Sequence, residues 1–128
     1  GIIIAAGFLL AVFYCSRKAG QFGIRQDDII DMLFFAVPLA IMEACAQAIQ
    51  LHERFAACGS ALVISDVGCG VICCKAALQA ASLNVFINTK AMVDRDQAAA
   101  VEEKAQLLLD KYLPLADQVF QTVEGRCR

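Results

Sequence analysis

Residues 94–124 read DRDQAAAVEEKAQLLLDKYLPLADQVFQTVE, and this stretch is the clearest helix in the 128-residue chain. Its apolar residues recur at steps of three and four, which is the spacing of a helix that buries one side. This seam consists of Val101, Ala105, Leu108, Tyr112, Leu115, Val119 and Val123. Because Pro114 lies within the seam, we expect a kink or a break there. The stretch predicts a long C-terminal amphipathic helix.

The first half of the chain also has helical spacing. Asp27 and Asp28 open a helix, because acidic side chains in the first turn interact favourably with the helix dipole. Pro38 disturbs this helix and can serve as the first residue of a renewed one. Gly59 is a typical residue to follow a helix C-terminus, so we expect the renewed helix to end there.

A further helix is predicted to begin at Ser65 or Asp66, either of which can cap its first turn, and to run to about Asn84. Gly68 and Gly70 fall in its first turns, where glycine costs helix stability. A glycine at such a place often permits a close helix crossing or the close approach of a ligand.

Residues 82–92 fit a strand or a helix by propensity, whereas every other segment fits a helix. We therefore predict an all-α fold of about four or five helices, open or bundle-like.

Composition excludes several classes of protein. Hydrophobic residues make up 59% of the chain and the formal net charge is −2, which excludes a disordered chain. The 11 basic residues are outnumbered by 13 acidic ones and form no block, so we expect no nucleic-acid partner. The seven cysteines are odd in number and lie in apolar, helix-like segments, which indicates reduced thiols in the cytosol.

The N-terminal segment has a membrane-like composition. Residues 1–16 carry no charge, and Arg17 and Lys18 follow at once. A membrane span needs about 20 apolar residues, so this run is short. Membrane contact and a buried core helix are both open at this point. Because the chain begins at Gly1 without a methionine, we expect a fragment or a processed product.

Few residues suggest metal or histidine chemistry. His52 is the only histidine, and we interpret it as a surface residue of an amphipathic helix. Cys69 and Cys73 share one helix face beside Cys74, but a zinc site needs four ligands at a better-defined spacing. We therefore predict no metal and interpret these cysteines as buried, small apolar side chains.

Three polar residues in apolar surroundings are better candidates for a site. Asp66 is a helix cap or, alternatively, a carboxylate beside a pocket that transfers a proton or holds a cationic substrate group. Asn84 and Asn88 are four residues apart, so a helix places both amides on one face. Their hydrogen-bond partners are backbone groups or a polar heterocyclic ligand.

Three short motifs occur in a fixed order: VPL at 37–39, ISDVG at 64–68 and NVFIN at 84–88. With them, the chain from about residue 36 resembles the formiminotransferase-cyclodeaminase family, in its cyclodeaminase/methenyltetrahydrofolate cyclohydrolase domain. The resemblance implies an all-helical, cytoplasmic homodimer that acts without a metal on 5-formimidoyl- or 5,10-methenyltetrahydrofolate. It implies a catalytic role for Asp66 and substrate binding by Ser65, Asn84 and Asn88.

Residues 1–41 resemble the first membrane region of prolipoprotein diacylglyceryl transferase. The similar segments are GIIIAAGFLLA at 1–11, RKA at 17–19 and DDIIDML at 27–33. The His-Gly and arginine-bearing motifs of that transferase are absent from the sequence. We therefore predict a transferase-like fragment over 1–35, with possible membrane contact through 1–16, and a cyclodeaminase-like helical part over 36–128. The alternatives are a membrane-anchored transferase fragment and a non-enzymatic helical chimera.

The cyclodeaminase-like part also departs from its family. Residues 59–60 are Gly-Ser where the family usually has Gly-Asn, and the family's upstream glycine-rich segment does not occur in this sequence. What is present resembles the C-terminal half of the domain.

Because that glycine-rich segment helps to form the folate pocket in the family, we predict near-background cyclodeaminase activity for this chain alone. The measurement is ammonia release from 5-formimidoyltetrahydrofolate. Strong release that disappears in Asp66→Ala would contradict this prediction and would establish the site.

Overall fold

A computed structural model describes residues 26–128, with side chains from residue 34 onward except that of residue 35. This part of the chain forms three helices: α1 (Gln26–Cys58), α2 (Ile64–Ala91) and α3 (Arg95–Cys127). No strand occurs between residues 26 and 128. The all-α prediction is confirmed, whereas the helix count over the described residues is three rather than four or five. The membrane-like run at 1–16 lies outside the described residues.

Neither proline ends a helix in the part of the chain that the structure describes. Pro38 lies inside α1 and Pro114 inside α3. A proline removes one backbone hydrogen bond, a loss that packing of its neighbours can offset. Pro114 is exposed, whereas Leu113 and Leu115 pack against the core, so the weakened turn faces solvent. The ambiguous stretch from residue 82 is helical, as the last part of α2.

α2 and α3 run antiparallel. Near the start of α2, Gly68 approaches Val123 so closely that an added Cβ would lie 2.9 Å from Val123 Cγ1. Near the end of α2, Thr89 Oγ1 donates a hydrogen bond to Glu102 Oε1 at 2.5 Å. The start of α2 therefore lies beside the end of α3, and its end lies beside the first turns of α3.

α1 runs parallel to α3, because its contacts with α3 advance along both helices together. At one end, Glu43 forms an ion pair with Lys104. In the middle, Gln50 Nε2 donates a hydrogen bond to Tyr112 OH at 2.8 Å. At the other end, Arg126 Nη1 donates a hydrogen bond to Ala56 O at 2.6 Å. The unit Phe35–Arg128 is therefore an up-down-up bundle of three helices.

The core of this unit is built from all three helices. Met42 and Ile49 of α1 and Val71, Leu78 and Val85 of α2 are fully or almost fully buried. Burial of a side chain of this size contributes about 1.5–3 kcal/mol.

The seam predicted for α3 is confirmed. Ala105, Tyr112, Val119 and Val123 are buried. The other three seam residues are partly buried and pack against the core. The steps of three and four therefore identified the side of α3 that faces α1 and α2.

The predicted N-cap of α2 is wrong. Val63 occupies the N-cap position without a side-chain cap, and Ser65 and Asp66 already lie inside the first turn. A backbone turn precedes the helix, in which Val63 N–H donates to Ser60 O at 3.2 Å. Asp66 N–H donates to Val63 O at 3.1 Å, so the backbone carbonyl of Val63 accepts the hydrogen bond that a capping side chain would otherwise accept. α2 also extends beyond the predicted end near Asn84.

α2 is, by length and composition, the one helix among residues 26–128 that is long and apolar enough to cross a membrane. The central helix of a bundle has the same properties, and α2 packs against both α1 and α3.

The start of α3 provides a test of this architecture. The Asp94 side chain accepts hydrogen bonds from Asp96 N–H at 3.1 Å and from Gln97 N–H at 3.0 Å. We predict that Asp94→Ala lowers the free energy of unfolding by about 1 kcal/mol, because two backbone donors lose their partner. Urea denaturation measures the effect, and Asp94→Asn is the control that retains a capping oxygen. Equal loss in both variants would contradict the capping role.

Candidate functional site

A cleft of about 290 Å³ lies between the last turns of α1 and the first turn of α2. Its walls are largely apolar, and two side chains with acid–base chemistry take part in them. The lining residues are His52, Phe55, Gly59, Val63, Asp66 and Val67. Small-molecule sites typically combine apolar walls with a few polar groups in this way.

Asp66 is the sequence-predicted site residue that lines this cleft. It is the third residue of α2 and is exposed. Because Val63 occupies the cap position, the carboxylate is not used as a helix cap. It lies in the first turn, where the helix dipole favours a negative charge. Asp66 is therefore placed to interact with a donor or cation in the cleft.

His52 also lines the cleft, a position that its interpretation as a surface residue did not anticipate. It is half-buried rather than a surface residue, and its Nδ1 lies 2.7 Å from the carbonyl oxygen of Ala48, one turn earlier in α1. A carbonyl oxygen only accepts hydrogen bonds, so Nδ1 carries a proton. In the neutral ring, Nε2 then has a free lone pair.

Gly70 makes room for the His52 ring. A Cβ at this position would overlap with Nε2 and would lie 2.9 Å from Cδ2. The expectation that a glycine near the start of α2 permits a close crossing is confirmed here and at Gly68. In the sequence, the helical glycine indicates a close neighbour, but not that this neighbour is His52.

The other predicted site residues do not line this cleft. Ser65 is exposed beside Asp66. Asn84 is exposed and its Nδ2 donates to Ala80 O at 3.2 Å, while Asn88 is half-buried. The prediction of Asn84 and Asn88 on one continuous helix face is met, but both lie near the opposite end of α2 from Asp66. At about 1.5 Å per residue, Asp66 and Asn84 are about 27 Å apart along the helix axis.

The cysteines fall into two environments. Cys45 of α1 and Cys74 of α2 are half-buried, and burial raises the pKa of each thiol, with a smaller contribution from a neighbouring cysteine. Such thiols stay protonated and are poor nucleophiles. Cys69 and Cys73 are exposed, contrary to the prediction of buried thiols, because they lie on the side of α2 that faces away from α1 and α3. Among the side chains that the structure describes, from residue 34 onward except residue 35, no group of three His, Cys, Asp or Glu is arranged to hold a metal ion.

Comparisons with known proteins agree with the motifs in the second half of the chain. The chain is 36% identical over 90 residues to the methenyltetrahydrofolate cyclohydrolase of Methylorubrum extorquens. This alignment covers 70% of the chain and 43% of that protein, so the chain spans less than half of this relative.

A second group of relatives matches a shorter part of the chain. The phosphatidylglycerol–prolipoprotein diacylglyceryl transferase of Oceanobacillus iheyensis is 46% identical over 44 residues, which cover 34% of the chain and 15% of the enzyme. The corresponding enzyme of Bacillus cytotoxicus is 44% identical over 48 residues, which cover 38% of the chain and 17% of the enzyme. The division of the chain at residues 35 and 36 into two fragments of different origin stays a prediction.

The sequence model of one family matches most of the described structure. It is the formiminotransferase-cyclodeaminase model, and its match covers residues 27–107, more than half of the chain. The match includes the cleft, both helices that line it and the two asparagines of α2. The chain therefore belongs to the formiminotransferase-cyclodeaminase family.

Proposed function

We propose that this chain provides the folate site of a cyclohydrolase or cyclodeaminase-type enzyme, with 5,10-methenyl- or 5-formimidoyltetrahydrofolate as substrate. The observation that carries the proposal is the cleft in which Asp66 lies against apolar walls, within a chain of this family. The reaction needs proximity of the reacting nitrogens and proton transfer rather than a metal.

The charge of the substrates fits this cleft. The methenyl bridge and the protonated formimidoyl group each carry a positive charge on the one-carbon unit. Asp66 would bind and orient that charged group, and it would stabilise the positive charge that develops on the attacking nitrogen or water. Phe55, Val63 and Val67 would contact the flat ring system that carries the one-carbon unit.

We propose that a second copy of the chain completes the site. The side of α2 that faces away from α1 and α3 carries an exposed stripe of uncharged, mostly apolar residues. The stripe consists of Cys69, Ile72, Cys73, Ala76, Ala80, Leu83 and Ile87. Its large residues lie on both sides of two alanines, so the stripe is complementary to itself when two α2 helices pair antiparallel.

This pairing would bring the separated polar residues together. Asp66 and Asn84 are 18 residues apart, which is about five full helical turns, so they lie on the same side of the stripe. In an antiparallel pair centred between Ala76 and Ala80, Asp66 of one subunit lies near Asn88 of the partner subunit. The interface would be isologous, as in most homodimers. Ser65, Asn84 and Asn88 would then bind substrate beside the partner's Asp66.

We propose a cytoplasmic location for this helical unit. The six described cysteines are free thiols, which suits a reducing compartment.

The contribution of Asp66 is testable by ligand binding, which does not require turnover. We predict that Asp66→Ala weakens binding of 5-formyltetrahydrofolate, a stable substrate analogue, by at least about tenfold, because a hydrogen bond to a charged group contributes about 1.5–3 kcal/mol. Isothermal titration calorimetry measures the affinity. Asp96→Ala is the matched control, since Asp96 also lies in the first turn of a helix, α3, and does not line the cleft. Equal affinity of Asp66→Ala and the native chain would exclude Asp66 from the site.

The second copy is testable at Leu83, which is 70% exposed in the stripe. We predict that the native chain is a dimer by light scattering and that Leu83→Glu is a monomer with lost folate binding, because a carboxylate would be buried without a partner. The control is Leu107→Glu on α3, where the leucine is 62% exposed outside the stripe. A native monomer, or a Leu83→Glu monomer with native affinity, would rule out a site shared by two subunits.

A further inference from the structure

His52 is an acid–base group of this cleft that lies outside the three family motifs at 37–39, 64–68 and 84–88. Its ring lines the cleft together with Asp66. Its Nδ1 is held by the Ala48 carbonyl at 2.7 Å. Only Nε2 is therefore left to exchange a proton with a ligand.

We propose that Nε2 of His52 is the proton acceptor of the cleft, and that Gly70 is the positioning residue that leaves room for this nitrogen. The inference rests on the proposed folate function and adds a second acid–base group to Asp66. An imidazole with a fixed tautomer and a carboxylate in the same cleft suit the reaction, because the carboxylate binds the cationic group while the imidazole moves the proton.

The proton transfer balances for both substrates. With 5-formimidoyltetrahydrofolate, N10 attacks the formimidoyl carbon, and Nε2 takes the proton from N10. The imidazolium then gives that proton to the amino nitrogen, the bond from carbon to this nitrogen breaks, and ammonia leaves. The amidinium cation becomes the methenyl cation, so the total charge is unchanged and the neutral imidazole is restored.

With 5,10-methenyltetrahydrofolate, water attacks the bridging carbon and Nε2 takes a proton from the water. The imidazolium gives this proton to N5 as the bond from carbon to N5 breaks. The remaining hydroxyl proton passes to solvent as the formyl group forms. Neither reaction needs an oxidant, a reductant or a metal.

The His52 ring is held on both sides by backbone: the Ala48 carbonyl contacts Nδ1, and Gly70 lies against Nε2. The Ala48 carbonyl, one turn before His52, can only accept a hydrogen bond from Nδ1, and this contact fixes the Nδ1–H tautomer. Gly70 lacks the Cβ that would occupy the position of Nε2. Any residue other than glycine at position 70 would push the ring away from its hydrogen bond or block its second nitrogen.

The single histidine makes this inference directly measurable. In the full chain labelled with ¹⁵N-histidine, NMR spectra contain one imidazole, whose two nitrogen shifts identify the protonated nitrogen. We predict the Nδ1–H form for the neutral ring of the free chain. On titration with 5-formyltetrahydrofolate, we predict that the Nε2 signal moves more than the Nδ1 signal.

A pair of glycine variants separates positioning from helix stability. Gly70→Ala is predicted to bind the folate roughly tenfold more weakly, the effect of about one lost hydrogen bond, and to lose the shift of Nε2. Gly125→Ala is the matched control, because a Cβ at this α3 glycine meets no atom within 4 Å. If Gly70→Ala does not fold, the tautomer and the titration of the native chain decide the proposal.

The outcomes distinguish this inference from the proposed function. An Nε2–H form in the free chain overturns the inference. Folate that shifts backbone amides around the cleft but leaves Nε2 unmoved also overturns it, while the folate site stands. If no signal of the chain responds to folate, the proposed function is wrong and the inference fails with it.

Discussion

The bundle depends on how closely α1 and α3 approach the first turns of α2. Gly68 lies against Val123 of α3, and Gly70 lies against His52 of α1. Each glycine costs roughly 0.5–1 kcal/mol of helix stability relative to alanine. Glycine is nevertheless present at positions 68 and 70, on different sides of α2, because a Cβ at either position would push a neighbouring helix outward. The same close approach places the His52 ring beside the first turn that carries Asp66, so the packing of the bundle and the geometry of the cleft have one cause.

The parts of the fold that sequence predicted well are those that local periodicity controls. The seam of α3 follows from spacing alone, because one face of a long helix must be apolar wherever its neighbours lie. The helix boundaries were predicted less well. Ser65 looked like a cap by residue type, yet a preceding backbone turn supplies the acceptor at Val63. Pro114 looked like a break, yet packed leucines on both sides of it keep the helix continuous.

Of the two acid–base residues that line the candidate cleft, sequence could select the one that lies within a short motif. Asp66 could be selected because its own neighbours set its position at a helix start. His52 could not, because its environment depends on Gly70, which is distant in sequence and belongs to another helix. Asn84 and Asn88 were grouped correctly with each other, since four residues make one helical turn. Their distance from Asp66 followed only from the finding that α2 continues as one helix to Ala91.

The charge pattern of α2 supports the proposal that two chains share the site. Between Asp66 in its first turn and Lys90 in its last, its one charged residue is Lys75, which pairs with Asp117 of α3 at 2.5 Å. The rest of the helix is uncharged on all sides, although α1 and α3 cover only part of it. An isolated surface helix of a soluble protein has a polar face, whereas a helix that is uncharged all round is normally enclosed. Enclosure by a second antiparallel α2 would bury the stripe and leave both charged ends of the helix, including Asp66, at the rim of the interface. In the proposed dimer, the groups with acid–base chemistry would then remain accessible to substrate while the apolar middle of α2 would hold the two subunits together.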